Sequence, residues 1–241
     1  MKIRSLKDCI VFENNNYIII NKPYGVASLH ERDKSRMSIQ ELAEAYHLNT
    51  QLCHRLDKET SGALAIAKNP EAYKNLSGQF AKRKVEKTYH AFVEGIAELK
   101  DTLCDLPIAP SGKSHVRIDK QEGKPSTTIF NTIDTFDRHT LVACKPITGR
   151  MHQIRIHLAS LKFPIIADEQ YGGHYLFLSQ IKPKFKLSKH EEELPLISRV
   201  ALHAYQLSFK DINGDNLKAI CPYPKDLKAL KNQLEKNSRR F

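Results

Sequence analysis

The chain carries 38 Lys+Arg against 27 Asp+Glu in 241 residues, a formal net charge of +11, and 41% of its residues are apolar. That apolar share supports a sizeable core and excludes a chain disordered throughout, while the surplus of positive charge points to a polyanionic partner. No apolar run reaches the roughly eighteen residues of a membrane span, no secretory core follows the N-terminus, and five widely spaced cysteines fit a reducing cytoplasm rather than a disulfide framework or a zinc site.

Along the chain, residues 11–12 and 17–20 flank Asn14, Asn15 and Asn16 as the arms of a hairpin do. Ser38 and Glu41 form a capping box ahead of Leu42, Ala43, Ala45 and Tyr46, which predicts a short amphipathic helix. Residues 52–56 and 63–67 read as short buried strands. Asn69-Pro70-Glu71 opens a second helix with proline at its first position and with Leu76 and Phe80 on one face. Residues 89–94 alternate as a strand that Gly95 closes. Residues 129–136 and 140–145 read as two strands joined by Asp137, Arg138 and His139, and 200–209 as another. From Pro224 a helix turns Leu227, Leu230 and Leu234 inward and leads to a basic tail with Arg239 and Arg240, so that 224–241 is a C-terminal helix and tail. Segment 150–158 stays open, because Ile154 pairs with Leu158 and Leu161 at helical spacing but with Ile156 and Leu158 at strand spacing. Strands recur without regular βαβ alternation, and no linker or repeat divides the chain. The expectation is one α+β domain of two lobes, spanning 1–241, on a mostly antiparallel sheet.

Several motifs fail on spacing. Ser111-Gly112-Lys113-Ser114 looks like the end of a phosphate loop, but Pro107 stands where the first glycine belongs. No Gly-x-Ser-x-Gly elbow is present. His152 and His157 are five apart instead of the four of a zinc helix. The expectation is therefore no metal and no nucleotide cofactor. Lys82, Arg83, Lys84 and Lys87, against Glu86 alone, read equally as phosphate contacts or as a solvated face.

Two segments stand out. In Cys53-His54-Arg55-Leu56-Asp57-Lys58-Glu59-Thr60-Ser61-Gly62 a strand-like run ends in an acid, and Thr-Ser-Gly then turns the chain. Asp57 there either projects into a cleft or sits in an Asx turn with a surface salt bridge. In 148–158, a helix starting after Gly149 would gather backbone N–H groups with Arg150, His152 and Arg155 at one end, which suits an anion or a carboxylate.

His54-Arg55-Leu56-Asp57 followed by Thr60-Ser61-Gly62 resembles the catalytic signature of the RluA-type RNA pseudouridine synthases. Four further blocks are similar to that family's and stand in its order. They are Asn21-Lys22-Pro23-Tyr24-Gly25-Val26, the strand from Lys87 to Gly95, Gly149-Arg150-Met151-His152-Gln153-Ile154-Arg155 with Pro164-Ile165 and Asp168-x-x-Tyr171-Gly172, and Leu202-His203-Ala204. Met151, Lys162 and Ala167 depart from the family pattern. About ten residues precede the first strand, leaving no room for the small N-terminal RNA-binding domain of S4 type that many relatives carry.

The resemblance implies the pseudouridine-synthase catalytic fold, a long mixed sheet with a central cleft flanked by helices, working without a cofactor. It implies an isomerase that detaches uracil from ribose C1′, rotates it and rejoins it through C5. Asp57 then matches the catalytic carboxylate, Arg155 its cationic partner and Tyr89 the tyrosine beside the uracil, with a core tyrosine as the alternative for Tyr89. Arg55 matches the arginine that fills the stack where the target base leaves. His54, Lys82, Arg83 and Lys84 join it as RNA contacts, while Arg150 and His152 either face RNA or support the helix start. The implied partner is structured RNA, a tRNA or an rRNA, bound by a cytoplasmic monomer. A catalytically silent RNA-binding or assembly factor on the same fold is the alternative.

Overall fold

The computed structural model describes residues 3, 5–30, 37–187 and 192–238. Arg239 and Arg240 of the expected basic tail lie outside the described residues. In chain order the elements are β1 (Ile10–Glu13), β2 (Tyr17–Lys22), α1 (Ile39–Tyr46), β3 (Gln51–Leu52), β4 (Ser61–Ala67), α2 (Pro70–Ala81), β5 (Glu86–Glu94), β6 (Thr102–Asp105), β7 (Ile108–Pro110), β8 (Val116–Ile118), β9 (Thr127–Phe136), β10 (His139–Pro146), α3 (Gln153–Ser160), α4 (Leu178–Ile181), β11 (Leu202–Lys210), β12 (Asn216–Ile220) and α5 (Lys225–Asn237). The fold is α+β on a large, mostly antiparallel sheet, as the irregular alternation of elements predicts. No described helix is long and apolar enough to cross a membrane. The chain divides into two compact units, Met1–Tyr89 with His203–Pro222, and His90–Leu202 with Tyr223–Phe241.

In the first unit the strand order is β1-β2-β4-β11, with β12 on β11 and β3 on β4. The β1–β2 hairpin forms because Asn14 Oδ1 accepts the amides of Asn16 (2.9 Å) and Tyr17 (2.7 Å), an Asx turn that reverses the chain. Tyr17, Ile18, Ile19, Ile20, Leu64 and Ile66 are fully buried. Strands covered on both faces lose the alternation of a half-exposed sheet, which is why β2 and β4 read as apolar runs. Each such isoleucine contributes about 2–3 kcal/mol of burial. The capping box expected at Ser38 and Glu41 is present, with Ser38 N donating to Glu41 Oε2 at 2.7 Å. Asn69 caps α2 through Ala72 N at 2.8 Å, with Pro70 in the first turn.

One expected strand is corrected. Residues 53–56 are loop, and pairing stops at β3. Cys53 N still reaches Ala65 O at 3.1 Å, but the amide of Ala65 goes to His54 Nε2 at 3.0 Å, so a side chain takes the place of the next ladder bond.

In the second unit β10, β9 and β6 pair in that order, antiparallel, and β7–β8 form a separate ribbon. α5 buries Leu227, Leu230 and Leu234 as its spacing predicts, and Arg199 ties it down through Asp226 (Nε to Oδ2 2.8 Å). Segment 150–158 resolves as a turn that leads into helix at Gln153. Gln153, Ile154, Arg155, Ile156, His157 and Leu158 of α3 are all buried, so no one-sided apolar stripe exists for periodicity to detect.

Candidate active site

In the first unit the turn bearing Asp57 is held from three directions. Ser28 Oγ donates to Leu56 O at 2.7 Å and accepts Leu56 N at 3.1 Å, bracketing the residue before the acid. Lys22, fully buried, donates from Nζ to Pro23 O (3.0 Å), Val26 O (2.8 Å) and Lys58 O (3.3 Å), and Gly25 N adds a bond to Lys58 O at 2.8 Å. The 22–26 loop and the residue after the acid therefore move as one piece. Beyond the turn, Thr60 N bonds Asp57 O at 3.1 Å, and Ser61 Oγ meets His203 Nδ1 at 2.8 Å. The other ring nitrogen of His203 faces Cys221 O at 3.0 Å, so it carries the ring proton and Ser61 is the donor. Gly62 takes φ +114° where β4 runs parallel to β11, and a Cβ there would lie 2.2 Å from Ala204 O. Only glycine fits.

Tyr89 is half-buried near the end of this unit. Burial, and secondarily the charge of Asp57, push its phenol pKa well above the ordinary value. The carboxylate and the phenol are thus within electrostatic reach, and at neutral pH the phenol keeps its proton. Arg55 is exposed beside the turn. Lys82, Arg83 and Lys84 are exposed where α2 ends, with Arg83 in the left-handed region at φ 57°. His54 is turned inward. Its ring lies 4.6 Å from that of Phe80, Nε2 is used by Ala65, and burial with the neighbouring Lys87 pushes its pKa down to about 3. These bonds make it a support for the loop, and the residue remains partly exposed.

In the second unit α3 starts at His152, whose backbone is left-handed at φ 52°. Buried Gln153 organises the turn. Its Oε1 accepts Thr148 Oγ1 (2.7 Å) and Arg150 N (3.0 Å), while Nε2 donates to Thr127 O and Thr128 Oγ1, both at 2.9 Å. Arg155, buried, makes a two-pronged ion pair with Asp168, 2.7 Å from Nε to Oδ2 and 2.6 Å from Nη2 to Oδ1. Gln170 Oε1 accepts Nη2 at 3.1 Å, and the guanidinium lies 4.9 Å from the Tyr171 ring centre. Bidentate geometry of this kind fixes the plane of the guanidinium. Arg150 is exposed, whereas His152 is half-buried with Nδ1 2.9 Å from Tyr171 Oη, a bond that supports the helix start.

Of the residues that sequence reasoning singles out, the structure places Asp57, Arg55 and Tyr89 in one unit and Arg155, Arg150 and His152 in the other. Sequence reasoning assigns no role to Lys22, Ser28, Gln153 or Asp168. A lysine that ends an apolar strand, or a glutamine at a helix start, carries no signal of its own burial. Among the described residues no group of three or more His, Cys, Asp or Glu side chains could hold a metal ion. Ser111-Gly112-Lys113-Ser114 forms the tip of the β7–β8 hairpin and not a strand-to-helix turn.

Compared with known proteins, residues 16–160 match the family described as RNA pseudouridylate synthase. The chain is 35% identical over 206 residues to ribosomal large subunit pseudouridine synthase C of Buchnera aphidicola, covering 83% of this chain but 62% of that protein. It is 34% identical over 245 residues to the protein of the same name from Haemophilus influenzae, covering 98% of this chain and 71% of that one. Among solved structures, human RNA pseudouridylate synthase domain containing 1 superposes with a TM-score of 0.70 at 26% identity, over 93% of this chain and 87% of that one. RNA pseudouridine synthases are isomerases. On the span of the family match and the identity to these relatives, the chain belongs to the RNA pseudouridylate synthase family.

Proposed function

We propose that the protein isomerises uridine to pseudouridine in structured RNA, with Asp57 as the catalytic carboxylate. The observation that carries this reading is a carboxylate on a turn whose neighbouring residues are pinned by Ser28 and Lys22, with a Tyr89 phenol near enough to feel its charge. In the reaction the C1′–N1 bond breaks, a C1′–C5 bond forms and the hydrogen on C5 leaves as a proton. Asp57 bonds to, or pairs with, the electron-poor centre while the base is detached. When C1′ bonds to C5 the link to Asp57 breaks and the carboxylate regains its charge. The Tyr89 phenol, which keeps its own proton, is placed to relay the C5 proton away at this late step. Arg155 is the cationic residue of the reaction, held in plane by Asp168.

Arg55, exposed next to the carboxylate, occupies the space of the extruded base. Lys82, Arg83 and Lys84 contact phosphates, and Arg150 adds a cation at the start of α3. The names of the relatives make large-subunit ribosomal RNA the first substrate to examine, with tRNA as the second. The protein works in the cytoplasm as a monomer, in one catalytic domain with no bound cofactor. Pseudouridine mapping of total RNA from a strain lacking the protein, and from the same strain complemented with wild type or Asp57→Ala, tests the assignment. A site lost on deletion and restored only by wild type supports it. A site restored by Asp57→Ala overturns it and favours a silent RNA-binding factor.

A further inference from the structure

The β7–β8 hairpin has three residues per strand, too few to hold its shape alone. Its tip is nevertheless fixed, by two side chains that follow α3. The Tyr171 hydroxyl accepts Val116 N at 3.2 Å and lies 2.9 Å from His152 Nδ1. Gln170 Nε2 donates to Ser114 O at 3.0 Å, and its oxygen accepts from Arg155. A small cluster of Ile108, Val116 and Ile156 closes against the Tyr171 ring. The guanidinium of Arg155 rests over the face of that ring.

The segment so tethered is basic and exposed. Lys113 and His115 project at the tip, and Lys120 and Lys124 follow in the next turn. Arg117 is engaged by Asp119 at 2.6 Å, and exposed Glu122 lies 4.0 Å from the same guanidinium, so that Lys113 at the tip is the charge offered outward away from these acids. A rigid ribbon carrying a lysine at its tip suits phosphates of a folded nucleic acid. Held loosely, the same lysine would lose affinity to the entropy of ordering on binding.

We propose that the β7–β8 hairpin is an arm that grips RNA backbone, and that Tyr171 is the positioning residue that fixes this arm relative to Arg155. The inference rests on the RNA-modifying function proposed above and adds a contact surface to it. Arm and tether act on binding of RNA that extends past the target stem-loop, not on bond rearrangement.

The test compares wild type, Tyr171→Phe, Lys113→Ala and the double variant on a long ribosomal transcript and on a minimal stem-loop. Phenylalanine keeps the ring under Arg155 and removes only the hydroxyl. Tyr171→Phe removes the hydroxyl's bonds to Val116 N, His152 Nδ1 and Gln170 Nε2 and should raise KM at least about five-fold more on the long transcript than on the stem-loop, five-fold being the worth of one net hydrogen bond. Lys113→Ala should shift KM in the same way, and the double variant should lose less than the product of the two singles. Amide exchange should speed up at Val116 while α3 keeps its protection, which shows that the fold is intact. Equal effects on both RNAs, a fall in kcat, or multiplicative losses in the double variant would overturn the assignment. Wild type that forms no pseudouridine on either RNA would instead sink the functional reading, and binding affinities of the same four proteins for the two RNAs would then decide the arm separately.

Discussion

His54 sets an acid limit on the stability of the first unit. Its ring must stay neutral to accept the Ala65 amide, and burial with Lys87 nearby holds its pKa at about 3, against an ordinary value of 6.5. A folded pKa below the unfolded one means that the neutral ring contributes stability above pH 6.5 and loses it as pH falls through the window from 6.5 to 3. Each pH unit in that window removes about 1.4 kcal/mol, so the 1.5 units from 6.5 to 5 remove about 2 kcal/mol. His54→Gln keeps an acceptor but does not titrate. The chain has no tryptophan, so urea unfolding is followed by circular dichroism at pH 7 and pH 5. Wild type should lose about 2 kcal/mol more than His54→Gln between the two, equivalent to about 4–8 °C in Tm. His139 and His157, also pulled down by burial, titrate in both proteins and cancel. Equal losses in the two proteins would refute the tie between His54 and Ala65.

Asp168→Ala strands a buried Arg155 and should cost about 3–5 kcal/mol in denaturant unfolding; a loss below about 1 kcal/mol would mean that the pair adds little. Gly62→Ala, at φ +114° and facing Ala204 O, should destabilise by about 2–4 kcal/mol or leave the protein insoluble, and a wild-type midpoint would contradict the close approach of β4 and β11. Neutralising Lys82, Arg83 and Lys84 should flatten the plot of log affinity against log salt by roughly 0.7 for each phosphate that the variant no longer neutralises, while an unchanged slope would return these residues to a solvated surface.

What the sequence reveals is what is decided locally. The Asn14 turn, the Ser38–Glu41 box and the Asn69-Pro70 start are each written within four residues, and each is found where expected. The Cys53–Leu56 run misleads because its apolar pattern is that of a strand, yet the His54 ring replaces the backbone partner of Ala65. Segment 150–158 hides its helix because the helix is buried on nearly every side. β6, β7, β8 and β12 are short; β6 pairs with the distant β9, and β7–β8 and β11–β12 are local hairpins whose few residues give propensity little to register. For the site, the acid, the phenol and the arginines show through as motif positions. Lys22 and Asp168 stand in the same motifs, but their supporting roles do not show, because a lysine on three carbonyls or an aspartate paired with Arg155 is defined by its contacts in the fold.

The central claim is that Asp57 drives replacement of the C1′–N1 bond by a C1′–C5 bond. Release of tritium from RNA labelled at C5 of uridine reads that replacement directly, since the label leaves only when C5 is bonded to the sugar. With a minimal stem-loop, without ATP and in chelator, wild type should release label in proportion to the pseudouridine formed. Asp57→Ala, folded and still binding the RNA, should release none. Equal release by the two proteins, or release by wild type that chelator abolishes, would contradict the account.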